Sequence, residues 1–223
     1  MAELHVLRVF VNEDGEWGNP LGVFLAGSEI PVGRRQDVAG ELGFSETVFV
    51  EDRASGRVRI HTPAVELPFA GHPTVGAAWL LARLGDAVEA LRVPAGQVAV
   101  RCNGEEAFVA ARPEWAPPFE YPQHGTPAEV RALAGAPDGG NAYAWAWIDE
   151  DAGTIRARSF VPEAGIAEDE ATGSAALALC ARLGRPIVVH QGHGSVIRAR
   201  PVGGGLVEVG GRVAFDEVRE QRV

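Results

Sequence analysis

Glu46 stands in Phe44-Ser45-Glu46-Thr47-Val48-Phe49, where a helix stop runs into an apolar strand. A carboxylate among apolar neighbours loses hydration, which raises its pKa toward the range useful for proton transfer. The plainer reading is a surface carboxylate at a strand start. Gly71-His72-Pro73-Thr74 opens an apolar run that reads as a helix. Free backbone N–H groups at a helix start favour an anion, and His72 could hold a carboxylate or shuttle a proton. Ordinary capping by His72 or Thr74, with Pro73 near the first helical position, uses the same groups. Asp169, followed by Thr172-Gly173-Ser174, makes a matching start later in the chain. Asp, Thr and Ser all suit a cap there. The small residues would also let a ligand approach the backbone. His190 and His193 lie three apart, but no third ligand stands at metal spacing, and no metal is expected.

The elements that must position these groups repeat. Arg57–Gly85 lies over Arg156–Gly184 at a fixed offset of ninety-nine residues. Arg57, Arg59 and Pro63 fall on Arg156, Arg158 and Pro162, and the two copies share an Ala-Arg-Leu-Gly ending at Gly85 and Gly184. Each copy reads strand, Pro-marked turn, small-residue loop, apolar helix, Gly stop. Two copies of this length argue duplication rather than a solenoid. Between the copies, the Pro-rich stretch from Arg112 to His124 reads as a linker. The spacing predicts apolar helices over Pro73–Leu84 and Gly173–Leu183, a helix over Arg34–Leu42, and a short one over Pro127–Ala134. It predicts hairpins around Asn103-Gly104 and Asp151-Ala152-Gly153, and late strands at Pro186–Gln191, Val196–Arg200 and Leu206–Phe215. A helix that is apolar on most faces is buried. The expected fold is therefore α+β, with two pseudo-symmetric halves over residues 1–112 and 113–223. Each is a barrel-like mixed sheet around a central apolar helix, with a site between them.

Composition sets the outer limits. The chain has 223 residues, is 46% hydrophobic and 22% charged, and carries a net charge of −10. That acidic balance argues against nucleic acid as a partner, because phosphates demand a basic patch. No apolar run reaches membrane length, and the start shows no basic region followed by an apolar stretch, so no membrane or secretory segment is expected. Cys102 and Cys180 have no disulfide or metal spacing, and the plain reading is a reduced, cytoplasmic setting.

Five stretches together resemble the PhzF family of phenazine biosynthesis, which shares its fold with the diaminopimelate epimerases. They are VFVNEDGEWGNPLGVFL, GFSETVFV, TPAVELPFAGHPTVGAAWLL, SFVPEAGIAEDEATGSAALAL and PIVVHQG, in family order. The resemblance implies a cofactor-free acid–base isomerase, usually a homodimer, acting on a small anionic metabolite. The family's type reaction isomerises a dihydro-hydroxyanthranilate. By motif, Glu46 matches the catalytic carboxylate, Asp169 its partner acid, and His72 and Ser174 the substrate-orienting groups. Gly71, Thr74, Thr172 and Gly173 complete the expected substrate-binding set. The chain departs from the family in its short second half, and in Gly194-Ser195 where relatives carry a longer turn. The related epimerases place a cysteine at each helix start, and no cysteine stands there in this chain. An epimerase working through Glu46 and Asp169, and a binding protein without turnover, are the alternatives.

Overall fold

The computed structural model describes residues 1–136 and 138–223. The first half runs β1 (Ala2–Val11), β2 (Asn19–Phe24), α1 (Val32–Leu42), β3 (Glu46–Asp52), β4 (Arg57–His61), β5 (Glu66–Leu67), α2 (Gly71–Arg83), β6 (Ala90–Val93), β7 (Gly96–Asn103) and β8 (Glu106–Ala111). The second runs α3 (Pro127–Ala132), β9 (Ala142–Asp149), β10 (Thr154–Val161), β11 (Ile166–Asp169), α4 (Gly173–Leu183), β12 (Ile187–Gln191), β13 (Ser195–Gly203) and β14 (Leu206–Gln221).

The sequence repeat is a structural repeat. β3 is antiparallel to β4, and β9 is antiparallel to β10. Beyond the Pro-marked turn a short strand folds back in each copy, giving Ile60↔Leu67 in one and Val161↔Ile166 in the other. Each apolar helix then crosses over to a strand parallel to the one before it, β6 beside β4 and β12 beside β10. β7–β8 and β13–β14 follow as antiparallel hairpins, and β8 pairs with β14 at the seam between the copies.

The halves close differently. Strands β1, β2, β3, β4, β6, β7, β8 and β14 form a ring, because β14 pairs with β8 through Val207–Arg212 and with β1 through Arg212–Gln221. The last strand of the chain thus completes the barrel of the first half. The second sheet wraps α4 but stays open. Among the described residues, its outer strand β9 meets two parallel bridges from the Pro-rich segment, Glu120↔Ala142 and Gln123↔Trp145. These stand where β2 lies parallel to β3 in the first half.

Both apolar helices are centres of their sheets. Residues 71–81 of α2 are all buried, as are Gly173–Leu177, Leu179 and Cys180 of α4. Their first turns meet. A Cβ added at Gly71 would stand 2.7 Å from the carbonyl carbon of Gly173 and 2.7 Å from the nitrogen of Ser174. Only glycine permits that approach. Among the described residues, no helix is long and apolar enough to cross a membrane.

Candidate active site

A cleft of about 240 Å³ opens beside the paired helix starts. Glu46, at the first position of β3, lines it together with Ser45. Asp169, at the end of β11, lines it with Thr172 and Ser174 from the start of α4. The sequence separates Glu46 from Asp169 by more than a hundred residues, and the fold brings them into one cleft. Apolar walls come from Val65, Leu67, Phe69, Phe119, Val161 and Ile166.

The two carboxyls live in different surroundings. One Glu46 oxygen, Oε2, is buried and has no hydrogen-bond partner. Burial pushes Glu46 from 4.5 up to about 7, against a smaller downward pull from the neighbouring Ser45 hydroxyl. Asp169 is held on both oxygens. Asn19 Nδ2 donates to Oδ1 at 2.8 Å, and Thr172 Oγ1 donates to Oδ2 at 2.5 Å. Burial raises Asp169 above the usual carboxylate range, the charge of Glu46 adds to this, and these hydrogen bonds oppose it.

Behind Asp169 stands a network. Gln191 Nε2 donates to the Asp169 carbonyl at 2.9 Å and to Thr172 Oγ1 at 3.0 Å. Gln191 Oε1 accepts from the Thr172 N–H at 3.1 Å and from the Tyr143 hydroxyl at 2.9 Å. On the other side Ser45 Oγ donates to Asn19 Oδ1 at 3.1 Å, which ties the Glu46 strand to the Asp169 loop. Nothing in the local sequence singles out Asn19, Gln191 or Tyr143. Asn19 and Gln191 lie within the family-like stretches, but the partners of a buried amide are long-range and leave no periodic signal.

His72 is 2% exposed and does not line the cleft. Its Nδ1 lies 3.5 Å from Glu46 Oε2, and burial pulls its pKa from 6.5 down to about 4. At neutral pH it is an uncharged ring behind Glu46. Thr74 is fully buried and its hydroxyl donates to the Ala70 carbonyl at 2.6 Å, so this geometry does not bring it to the cleft. Gly71 meets the backbone of the other helix rather than the cleft. Neither α2 nor α4 has a side-chain cap. The Thr172 hydroxyl serves Asp169 instead, so the first N–H groups of α4 are left for another acceptor. His193 is bonded through Nδ1 to Glu170 at 2.8 Å and stacks on Trp17.

The sequence matches a family model described as PhzC-PhzF, phenazine biosynthesis-like protein, over residues 8–141. The chain belongs to the PhzC-PhzF family. Several relatives of this family member are named as isomerases. It is 46% identical over 81 residues to an uncharacterized isomerase of Pasteurella multocida, a segment covering 34% of this chain and 28% of that relative. It is 30% identical over 233 residues to the trans-2,3-dihydro-3-hydroxyanthranilate isomerase of Pseudomonas fluorescens, covering 83% of this chain and 78% of the relative. A phenazine biosynthesis PhzC/PhzF protein from Clostridium difficile (strain 630) has the same fold, with a TM-score of 0.81, 21% identity and full coverage of both chains. The family match ends at residue 141, so Asp169, Thr172, Gly173 and Ser174 rest on geometry and motif.

Proposed function

We propose that this chain is a cofactor-independent acid–base isomerase of a small anionic metabolite. The observation that carries the reading is the Glu46 carboxyl, poised near pH 7 in an apolar cleft beside the uncapped start of α4. A general acid–base group works best when its pKa lies near the working pH. Glu46 takes a proton from a substrate carbon and returns it to another position. The N–H groups at Gly173 and Ser174 hold the substrate's carboxylate, with the partial positive charge of the helix start behind them. Asp169, fixed on both oxygens, orients the reacting end, and neutral His72 keeps Glu46 in place without an ion pair. A relative named trans-2,3-dihydro-3-hydroxyanthranilate isomerase supports a proton shift within a conjugated ring acid as the reaction class. We also propose a homodimer in a reduced, cytoplasmic setting.

The test is turnover of such ring acids by wild type and by Glu46→Gln, followed by NMR in deuterium oxide. Deuterium at a new ring position with migration of the double bond supports the isomerase. Deuterium at an unshifted stereocentre makes the chain an epimerase. Binding without exchange makes it a binding protein.

A further inference from the structure

The turn between β1 and β2 reaches into the second half with three consecutive residues. The Trp17 indole stacks on the His193 ring, with centroids 5.4 Å apart and planes 16° apart. The Gly18 N–H donates to Ser195 Oγ at 3.0 Å. The Asn19 side chain donates to Asp169 Oδ1 at 2.8 Å. Glu170, the residue after Asp169, gathers the far ends of the first two links. Its Oε1 accepts from Ser195 Oγ at 2.7 Å, and its Oε2 lies 2.8 Å from His193 Nδ1. The His193 backbone N–H donates to the same carboxylate at 3.0 Å. Two glycines make room for this packing. A Cβ on Gly192 would strike the Glu170 carboxylate, and one on Gly194 would strike the Trp17 indole.

Trp17 has a φ of 62°, a left-handed conformation that a bulky side chain rarely adopts. Such strain persists only where surrounding contacts over-determine it, and it collects at functional sites. Core packing does not account for it, since Trp17 is 47% exposed. Arg8 Nη1 holds the turn by donating to the Trp17 carbonyl at 2.9 Å. Asn19 opens β2, so strand pairing holds its backbone on one side, and Trp17 and Gly18 hold the other.

We propose that Trp17, His193 and Glu170 form a clamp that positions Asp169 for the reaction, acting through Asn19. They are positioning residues, since none of the three lines the cleft. The closed clamp keeps the Asn19 amide on the Asp169 carboxylate. Without it the turn before β2 drifts, and the amide leaves. This rests on the reading that Asp169 orients the substrate.

Trp17→Ala and His193→Ala test this, because both side chains are exposed and their loss leaves the core intact. Each should lower kcat/KM on the ring acids by on the order of tenfold or more, through displacement of a group in the site. The double variant should lose little more than either alone, since one stack is removed in each case. Trp17→Tyr keeps a stacking ring and should retain most of the activity. Carboxyl NMR titration of Asp169 supplies a readout that general loosening would not move. The Asn19 hydrogen bond lowers Asp169, so its titration should move up in both alanine variants. An Asp169 titration unchanged in both would overturn the proposal. So would a shifted Asp169 with wild-type turnover, or losses that multiply in the double variant. If wild type turns over no ring acid, the isomerase reading falls instead. The Asp169 titration then decides the clamp by itself, a shift supporting it and no shift overturning it.

Discussion

The carboxyl contributed by the first half keeps a bare oxygen, and the carboxyl contributed by the second is held by one donor from each half. Glu46 has a buried oxygen with no hydrogen bond, whereas both oxygens of Asp169 accept one. The two carboxyls are not counterparts in the repeat, since the ninety-nine-residue offset sets Glu46 on Trp145 and Asp169 on Ala70, and only one of them is left free to exchange a proton. The difference teaches how two copies of one unit come to divide labour. Hydrogen bonds fix a charge in place, and their absence leaves it adjustable.

The comparison is broken most directly at Glu46. Glu46→Gln keeps shape and hydrogen bonding but cannot exchange the proton. Turnover should fall a hundredfold or more, the usual scale for a general acid–base group, while ligand affinity measured by calorimetry survives. Asp169→Asn should weaken binding and turnover together. Near-normal turnover by Glu46→Gln would reverse the roles assigned to the two halves.

The same contrast appears in stability. Glu46 is raised from 4.5 to about 7, so folding favours its proton, and its contribution falls as pH rises through that window. His72 is lowered from 6.5 to about 4, so the unfolded chain binds the extra proton, and its contribution grows as pH rises from about 4 to 6.5. Between roughly pH 4.5 and 6.5 the two slopes oppose each other. Glu46→Gln removes one of them. Relative to wild type it should gain stability as pH rises from 4.5, reaching about 3 kcal/mol above pH 7, from a shift of roughly two and a half units. Urea denaturation at pH 4.5 and pH 8 measures this. A difference that does not change with pH would contradict the desolvated state of Glu46.

The seam between the helices can be pried open with one methyl group. Gly71→Ala places a carbon against the backbone of Gly173 and Ser174, which cannot rotate away. A loss of about 1–3 kcal/mol in denaturant unfolding is expected, the usual cost of overpacking. Unchanged stability would mean that the helix starts are not in firm contact.

The smallest effect should come from Thr172→Val. It removes one donor to Asp169 and one acceptor of Gln191, at a cost of about 1–2 kcal/mol. It should also move Asp169 further up in pH, because that hydrogen bond lowers it. Carboxyl chemical shifts followed by NMR titration read the direction.

Much of this arrangement is legible in the sequence. α4 occupies Gly173–Leu183 as its apolar spacing and Gly184 stop predict, with Gly184 in the left-handed region at φ 65°. α2 begins at Gly71, two residues before the predicted start at Pro73. Glu46, Asp169, Thr172 and Ser174 were legible as polar groups at strand ends and helix starts. The motif sets Thr74 among the substrate-binding residues, whereas in the fourth position of α2 its hydroxyl turns inward and donates to the Ala70 carbonyl. β14 continues to Gln221, six residues past the predicted end at Phe215. The run Asp216-Glu217-Val218-Arg219-Glu220 carries no apolar alternation, and β1 supplies the pairing that makes it a strand. β11 is too short and polar to announce itself, since its partner β10 defines it. The boundary near residue 112 we propose to be the edge of the duplicated unit rather than of an independent folding domain.

Ala2 pairs with Gln221. The first barrel cannot close until β14 has left the ribosome, although its other seven strands all end by Ala111. A chain joined end to end in this way has a high contact order and folds slowly. Until β14 arrives, β1 and β8 expose open strand edges, which are templates for pairing with other chains. Between the emergence of β8 and that of β14 the nascent sheet therefore carries two unpaired edges at once.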